Sequence, residues 1–369
     1  MSSTAEGKPR DLQRVDERDT MFARMARVPG TPAYTDYYGR NPGREAADSR
    51  LRAMPPLMEP GGLYYDPAIC TEAAELVAAV YDVKADPEAA AVWGDRLAAT
   101  ADPSASAMSM VLELGAAAAG IAVVENHCVY THKGRHDSDY GRPITADLPR
   151  ALVFLVEMER HAMAQAPLAP VVRESTWQYL RAARIAVTAA EALRRAGATA
   201  RPHYDAHYEV ILPPLAVAAG LGELGRHNIL IADRFGSRVR IGAVTTDLDM
   251  VPDAPVSLGV DRFCRVCKKC AHNCPSHALS TADSAPQDPG RWQTATSRCY
   301  GYWRAVGTDC GICMACCPFS HADTWSHRLV RRIVRRAPWT HRLLVFLDDL
   351  AYGRKWRPVT ERSFFRRLT

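Results

Sequence analysis

The sequence predicts an α+β protein in two main parts, a layered α/β core followed by a cysteine-rich domain. Between about residues 111 and 255, short apolar segments alternate with helical ones, as in a layered core. Nine of the eleven cysteines then fall between Cys264 and Cys317. With 369 residues, of which 47% are hydrophobic, the chain can bury a large core, and its length favours two domains.

The N-terminal third is expected to cover the core. Residues 1–20 are polar and predict a loosely attached arm. Residues 21–60 are rich in Pro, Gly, Arg and Tyr, which predicts a wrapping segment with little regular structure. Helical patterns follow at residues 68–81 and 87–100, and a third helix, capped by Asp102, is expected to run to about residue 119.

The core is predicted from four apolar runs and one long helix. The predicted strands are residues 121–124, 151–156, 229–232 and 239–246, with a further extended piece at residues 200–208. The helix is expected at residues 176–195, because Gly197 follows it as a stop signal.

The cysteine spacing predicts a bacterial ferredoxin-like domain with two 4Fe–4S clusters. The first run has the form C-x2-C-x2-C-x3-C-P, and the second run is a stretched version of it. In two-cluster ferredoxins the fourth cysteine of each run ligates the other cluster. The predicted ligands of one cluster are Cys264, Cys267, Cys270 and Cys317, and those of the other are Cys274, Cys299, Cys310 and Cys313.

Zinc sites and disulfides are the alternative explanations of these cysteines. Zinc takes four ligands per site, usually as two separated pairs, which this eight-thiolate pattern exceeds. Disulfides would need an oxidising compartment, and no signal directs the chain to one. Cys316 is then a spare thiol, and Cys70 and Cys128 are expected to be small buried hydrophobes.

The formal net charge of +5 is unevenly distributed. Residues 326–369 carry twelve Lys/Arg and three Asp/Glu, or +9, and the remaining chain carries −4. This basic C-terminal extension could touch a membrane surface or an acidic partner, or be a solvated helix packed on the cysteine-rich domain. No uninterrupted apolar stretch of about 18 residues and no export signal is found, so we expect a cytoplasmic protein.

A glycine-rich turn at Gly220-x-Gly222-x2-Gly225 fits G-x-G-x-x-G, the fingerprint of dinucleotide sites. Such a site needs the motif between a strand and a helix, whereas here it follows a helical stretch and precedes a strand. We therefore interpret it as a tight turn that brings backbone close to another group. The electron source is then expected to be another protein.

Further motifs occur in the order that characterises one known family. They are Asp19-Thr20-Met21-Phe22, Pro29-Gly30-Thr31-Pro32-Ala33-Tyr34, Ala166-Pro167, Gly220 to Arg226, Phe235-Gly236-x2-Val239-Arg240, Phe263-Cys264, Cys317-Pro318-Phe319 and Asp348-Asp349-x2-Tyr352-Gly353. With the stretched second cysteine run, these motifs resemble the reductive dehalogenase catalytic subunits, which use cobalamin and iron–sulfur clusters. The resemblance runs over most of the chain.

The resemblance implies a nitroreductase-like α/β core that binds cobalamin base-off, with no histidine below the cobalt. The glycine-rich turn, Gly220, Gly222 and Gly225, is the candidate for cofactor contact. Asp205-Ala206-His207 begins like the D-x-H-x2-G motif of His-on cobalamin proteins, but position 210 is Val. His207 is therefore not assigned as a cobalt ligand.

The resemblance also implies two catalytic residues. The family's proton-donating Tyr lies twelve residues after the Pro of an Ala-Pro pair, which is Tyr179 here, in the first turn of the predicted helix. A basic residue beside it corresponds to Arg240, whose charge can lower the pKa of a phenol. Where the family commonly has an Asn, this chain has Asp205 or His207, which leaves the substrate class open.

The expected arrangement has four parts: an N-terminal wrapping segment with helices at residues 1–110, the cobalamin-binding catalytic core at 111–255, the ferredoxin-like domain at 256–325, and the basic extension at 326–369. The expected reaction removes halide from a small organohalide, with electrons from an external donor such as a ferredoxin or flavodoxin, and no DNA partner.

Two other functions fit part of the sequence. An epoxyqueuosine-reductase-like tRNA-modification enzyme shares the plan of cobalamin with clusters, but such enzymes use an Asp as the acid and carry Cys-Pro-Trp where this chain has Cys317-Pro318-Phe319. A non-catalytic iron–sulfur electron carrier would keep the clusters and lose the core chemistry, which the presence of Tyr179 and Arg240 argues against.

Overall fold

The computed structural model describes residues 13–283 and 292–359, which form a mixed helix and sheet fold. The strands are β1 (Ala118–Val123), β2 (Arg150–Glu157), β3 (Ala200–His203), β4 (Glu223–Leu224), β5 (Leu230–Ile231) and β6 (Val239–Thr246). The main sheet is antiparallel, with strand order β1-β2-β6-β3, and β4 and β5 form a separate hairpin. The predicted α+β class is confirmed.

Helices surround this sheet and make up the rest of the regular structure. They are α1 (Met21–Met25), α2 (Pro32–Arg40), α3 (Pro42–Arg52), α4 (Pro67–Tyr81), α5 (Pro87–Ala99), α6 (Pro103–Glu113), α7 (Arg160–Met163), α8 (Pro170–Arg195), α9 (Leu212–Ala218), α10 (Val260–Cys267), α11 (Lys269–His272), α12 (Thr296–Val306), α13 (Ile312–Ala315), α14 (Trp325–Arg336) and α15 (His341–Tyr352).

The two central strands, β2 and β6, form the centre of the core. Residues 151–156 of β2 are all buried, which explains their unbroken apolar run. One face of the sheet is covered by α8, with α4, α5 and α6, and its core includes Leu152, Phe154 and Leu193. The other face is covered by α9 and the loops around it. The predicted strands at 151–156 and 239–246 are confirmed. The strand predicted at 121–124 is present as β1, which begins three residues earlier and ends at Val123, and the segments predicted at 200–208 and 229–232 form the shorter strands β3 and β5.

The wrapping segment is more ordered than its composition predicts. Helices α1 to α3 occupy most of residues 21–52, so the expectation of little regular structure is wrong. Thr20 and Thr31 cap α1 and α2 with their hydroxyl groups, and proline occupies the first turn of α2 and of α3. Proline is pre-organised for a first helical turn, so here it starts helices instead of breaking them.

Glu17 is buried and accepts a hydrogen bond from the Gly134 amide, which anchors the described part of the predicted arm. Residues 1–12 of that arm lie outside the described residues.

Two predicted helix boundaries are wrong. Helix α6 ends at Glu113, not near residue 119, because the following alanines enter the edge strand β1. Helix α8 begins at Pro170, not at Thr176, because proline again takes the first turn. Tyr179 therefore lies in the third turn of α8 and not in its first.

The basic C-terminal helix is present as α14, and the last ten residues of the predicted extension lie outside the described part. Helix α15 shows an outward apolar stripe made of Leu343, Phe346, Leu347 and Leu350, at helical spacing. Phe346 and Leu350 are 63% and 75% exposed. No helix in the described residues is long and apolar enough to cross a bilayer.

Residues 354–359, which we call the C-terminal strap, connect the cysteine-rich region to the core. Asn273 donates to the Arg354 carbonyl and accepts from the Trp356 amide, at 2.9 and 2.7 Å. The Trp356 indole N–H donates to the Ala166 carbonyl at 2.7 Å, and the Val359 amide donates to the Ala164 carbonyl at 2.9 Å.

We predict that Gly242→Ala destabilises the protein. Gly242 pairs with Phe154 across β2 and β6, and a Cβ at position 242 would overlap the buried Phe154 ring. Overpacking of this kind costs about 1–3 kcal/mol. The matched control is Gly39→Ala on exposed α2, where a Cβ meets nothing within 4 Å and the change should be neutral or stabilise by about 0.5–1 kcal/mol. Anaerobic thermal melting of both variants is the measurement, and an unchanged melting temperature for Gly242→Ala would contradict the packing argument.

Candidate active site and cysteine clusters

The first predicted cysteine group surrounds one cavity. Cys264 and Cys267 lie on α10, Cys270 lies on α11, and Cys317 precedes a short 3-10 helix. All four line one small cavity. Burial, together with the neighbouring thiols, raises the pKa of Cys317 well above its ordinary value, as it does for Cys270. Four crowded, buried thiols would ionise readily only beside a positive group. Because the ionised thiolate is the form that binds metals, this arrangement suits a set of metal ligands.

The second predicted group is also brought together. The pKa of Cys313 is raised well above its ordinary value by burial and by the nearby Cys310, Cys299 and Cys274. Cys310 adopts a left-handed backbone conformation with φ of 60° at the start of this turn. The assignment of four thiols to each of two clusters stays a prediction.

Cys316 lies between the groups, buried, with its thiol 3.8 Å from the Cys313 carbonyl oxygen. All eleven cysteines, each within the described residues, are free thiols. In the described ranges, no three or more His, Cys, Asp or Glu side chains converge as the ligands of one metal ion do. The first thiol group instead lines a cavity, and a set of four thiols in each group suits a polynuclear cluster.

The predicted catalytic pair, Tyr179 and Arg240, is in contact. Tyr179 projects from α8 and Arg240 from β6, and the guanidinium carbon lies 4.6 Å from the centre of the phenol ring. This is the geometry of a cation–π interaction. Two residues 61 positions apart in the sequence are therefore brought together by the packing of α8 against the sheet.

A hydrogen-bonded network holds Arg240 in place. Its Nη2 donates to Ser175 Oγ at 2.7 Å and lies 3.2 Å from Asp309 Oδ2. The Ser175 hydroxyl also donates to Asp309. Ser175 lies one turn before Tyr179 on the same face of α8, so one helix face supplies two of the three partners of Arg240. Asp309 directly precedes Cys310, so the network reaches the second cysteine group.

Burial raises the pKa of Tyr179 above its ordinary value, and the Arg240 charge only partly opposes this. Arg240 lowers the pKa of Tyr179 as expected, but burial raises that pKa by more. The phenol is protonated at neutral pH and able to act as a proton donor. Burial likewise raises the pKa of the Asp309 carboxyl, with Arg240 opposing.

Sequence reasoning missed several residues of this site. Ser175 and Asp309 belong to no motif, although the position of Asp309 beside a predicted ligand was an available signal. Arg135 was also missed; its guanidinium lies 3.6 Å from Asp205 and 5.1 Å from the Phe22 ring centre. Both Arg240 Nε and Asp309 Oδ1 are buried without a partner in the described part of the chain, as expected where a bound group completes the site.

The residues at the family's Asn position lie at the edge of this region. Asp205 is paired with Arg135. The charges of both residues act on the pKa of Tyr179, which Asp205 raises and Arg135 lowers. The His207 ring stacks on His136 at 5.3 Å and lies 5.8 Å from the Tyr81 ring. Burial lowers the pKa of His207, which favours the neutral ring.

The glycine-rich turn leads into the β4–β5 hairpin. A Cβ at Gly220 would lie 2.7 Å from the Ala254 carbonyl oxygen, and one at Gly222 would overlap the Ile231 carbonyl oxygen. A Cβ at Gly225 would lie 2.7 Å from the Ile231 side chain. Close approach of the chain to itself therefore accounts for all three glycines, and their contact with a cofactor stays a prediction.

Comparison with known proteins connects this geometry to a family. The chain matches no protein-family model. It is 33% identical over 219 residues to the tetrachloroethene reductive dehalogenase of Sulfurospirillum multivorans. This alignment covers 57% of this chain and 43% of that protein. The epoxyqueuosine reductase of Gloeobacter violaceus is 30% identical over 148 residues, covering 37% of this chain and 44% of that one.

The fold agrees with the sequence comparison. A solved reductive dehalogenase, described with a mechanism for B12-dependent dehalogenation, superimposes on 93% of this chain and 47% of its own, with a TM-score of 0.69 and 25% identity. The chain spans less than half the length of these dehalogenases. In sequence and in fold it is a relative of the reductive dehalogenases, which confirms the resemblance carried by its motifs.

Proposed function

We propose that this chain is a reductive dehalogenase, an oxidoreductase that replaces the halogen of an organohalide by hydrogen. Per turnover, the substrate takes up two electrons and one proton and releases halide. The observation that carries the proposal is the half-buried contact of Tyr179 with Arg240, joined through Asp309 to the second cysteine group. A proton donor and a candidate electron entry point are thereby held in one network.

The finer architecture belongs to the same proposal. The sheet with α8 is the nitroreductase-like core, and the region around α10 to α13 is the ferredoxin-like domain. Within the latter, Cys264, Cys267, Cys270 and Cys317 hold one 4Fe–4S cluster. Cys274, Cys299, Cys310 and Cys313 hold the other. The cavity lined by the first four thiols, and the mutual effect of the thiols of the second group on the pKa of Cys313, support the assignment.

Cobalamin is the proposed second cofactor, and the glycine-rich turn (Gly220, Gly222, Gly225) is one candidate contact. When bound, cobalamin supplies a low-potential metal centre that breaks the carbon–halogen bond. The unpartnered buried atoms Arg240 Nε and Asp309 Oδ1 show that this site has polar groups left for a bound molecule.

The protein's own part is to hold and deliver a proton. The Tyr179 phenol keeps its proton at neutral pH because burial raises its pKa. As the proton leaves, the Arg240 charge 4.6 Å from the ring centre stabilises the developing phenolate. Ser175 and Asp309 keep the guanidinium in this position. Electrons come from an external donor such as a ferredoxin or flavodoxin.

The principal alternative is an epoxyqueuosine-reductase-like enzyme, supported by the 30% identity over 148 residues. The two functions differ in substrate, since one acts on an organohalide and the other on a modified tRNA. They also differ in the acid, because the alternative needs a carboxyl group. Asp309 is the buried carboxyl in this site, but it is paired with Arg240 and Ser175.

We also propose that α14 and α15 rest on an anionic membrane surface. Beside the apolar stripe of α15, the chain exposes Trp325 at the start of α14 (74%) and Trp339 in the 3-10 helix that precedes α15 (85%). Helix α14 carries five arginines and no acidic residue. Exposed Trp with Leu and Phe beside Arg is the composition of an interfacial helix.

The cluster assignment predicts the iron content of two neighbouring variants. After anaerobic reconstitution the wild-type chain should hold about eight irons, the count for two 4Fe–4S clusters. Cys317→Ala should lose about half of this iron, because it removes one ligand of the first cluster. Cys316→Ala is the matched control and should keep all of it. Iron loss from Cys316→Ala with none from Cys317→Ala would reverse the assignment.

The proton-donor assignment predicts that Tyr179→Phe lowers halide release by about 100- to 10,000-fold, the usual contribution of general acid catalysis. The assay uses chain loaded with clusters and cobalamin, a panel of haloaromatics and haloalkenes, and reduced viologen, ferredoxin or flavodoxin as donor. Tyr130→Phe, the same change on the other face of the sheet, is the control and should keep wild-type activity. Wild-type halide release by Tyr179→Phe would exclude Tyr179 as the donor, and no halide from the wild type with any substrate would favour the tRNA enzyme.

The membrane proposal predicts co-sedimentation with vesicles. The chain should pellet with vesicles containing one part in about three of phosphatidylserine, less so as salt rises, and weakly with neutral phosphatidylcholine. Phe346→Ser with Leu350→Ser should abolish pelleting. Leu63→Ser with Val251→Ser, which changes two apolar residues exposed elsewhere, should leave it intact. Pelleting that the stripe variant does not reduce would refute this surface.

A further inference from the structure

His227 is a buried histidine with an unused hydrogen-bond donor. It follows the glycine-rich turn, between β4 and β5, and is 5% exposed. The ring fits there because position 225 is glycine; a Cβ at that residue would lie 2.8 Å from His227 Cε1. None of the motifs considered from the sequence gives this side chain a role.

The ring nitrogens have different surroundings. Nδ1 accepts a hydrogen bond from the Ile229 amide at 3.2 Å, so in the neutral ring the proton is on Nε2. Nε2 is buried and has no partner among the described residues. A buried N–H without an acceptor is costly, and native proteins nearly always satisfy such groups.

The acceptor can be located from the cavity that His227 lines. The same cavity is lined by Cys264, Cys267, Cys270 and Cys317, the four thiols assigned to the first cluster. A cluster held by these thiols would bring sulfur atoms, which are hydrogen-bond acceptors, into the space beside His227. We infer that His227 Nε2–H donates a hydrogen bond to a sulfur atom of this cluster and raises its reduction potential.

The neighbouring cation does not take this role with its hydrogen bonds. Arg226, also on the cavity wall, directs its donors to the carbonyls of Cys264, Ser280 and Ala282 and to the Asp283 carboxylate. Its guanidinium therefore fixes the backbone around the first cluster cysteine. Lys268, the other cation on this wall, is ion-paired with Asp283 at 2.9 Å. Among the described residues that line the cavity, His227 thus has the buried side-chain donor without a partner.

The sign of the effect follows from charge. Reduction adds one electron to the cluster and makes its sulfur atoms more negative, so a donated N–H stabilises the reduced state more than the oxidised state. Hydrogen bonds to the sulfurs are among the factors that set cluster potentials. His227 is thus a positioning and tuning residue, since it contacts the electron carrier and not the organohalide. The inference rests on the proposed first cluster, but on neither cobalamin nor dehalogenation.

The test is an anaerobic redox titration of the reconstituted chain, followed by the EPR signal of the reduced clusters. His227→Leu should make reduction of one cluster about tenfold less favourable, which is about 59 mV more negative for a one-electron couple. His227→Gln, which keeps an N–H donor, should restore most of this shift. His272→Leu makes the same change at an exposed residue of α11 beside Cys270 and should leave both potentials unchanged. An unchanged potential in His227→Leu with full iron content would overturn the inference.

A second measurement on the unsubstituted chain removes the dependence on variant folding. With 15N-labelled histidine, pulsed EPR of the reduced chain should show a weak coupling to one histidine nitrogen, as expected for a donor across a hydrogen bond. No such coupling would overturn the inference, and a strong one would make histidine a direct ligand and overturn it as well. Neither readout uses an organohalide, so failure of dehalogenation leaves this result intact, and absence of bound iron in the wild type would instead refute the proposed clusters.

Discussion

The guanidinium of Arg240, placed between the Tyr179 ring and the Asp309 carboxylate, is the contact on which the candidate site depends. It joins α8, β6 and the segment that enters the second cysteine group. A largely buried arginine must keep its partners, because an unpaired charge in this environment costs several kcal/mol. The position of the cysteine-rich region relative to the core is therefore restricted by the same side chains that define the proposed chemistry.

This arrangement places the proton and electron functions in adjacent residues. Tyr179 retains its proton through burial, and Asp309, which pairs with the cation beside it, is covalently next to Cys310. A change of charge at Cys310 therefore alters the electrostatic potential at Tyr179, because the protein between them has a low dielectric constant. His227 has a comparable position at the first cysteine group, where a neutral donor faces the thiols. Each cysteine group therefore has a polar side chain of the core close to it, His227 at the first group and Arg240, through Asp309, at the second.

Much of this could be predicted from the sequence, for identifiable reasons. Strands β2 and β6 are unbroken apolar runs, and the cysteine spacing determines which thiols can meet. Helices α1 to α3 were missed because proline and threonine at a helix start resemble loop composition. Ser175 and Asp309 could not be paired in advance, since their contact joins residues 134 positions apart and depends on how α8 packs. His227 carries no motif; only the buried position of its Nε2 reveals it.

The C-terminal strap has a consequence for how the chain is assembled during synthesis. Its hydrogen bonds join Asn273, beside the first cysteine group, to Ala164 and Ala166 in the core. Residues 354–359 leave the ribosome after every residue that they bind. The core and the cysteine-rich region are therefore synthesised before the strap, and their connection through these bonds forms only after residues 354–359 have emerged. Before then, the apolar cluster that contains Cys270, Cys274 and Cys316 lacks the packing of Trp356, so the strap completes the enclosure of these thiols after the cysteine-rich region itself has been made.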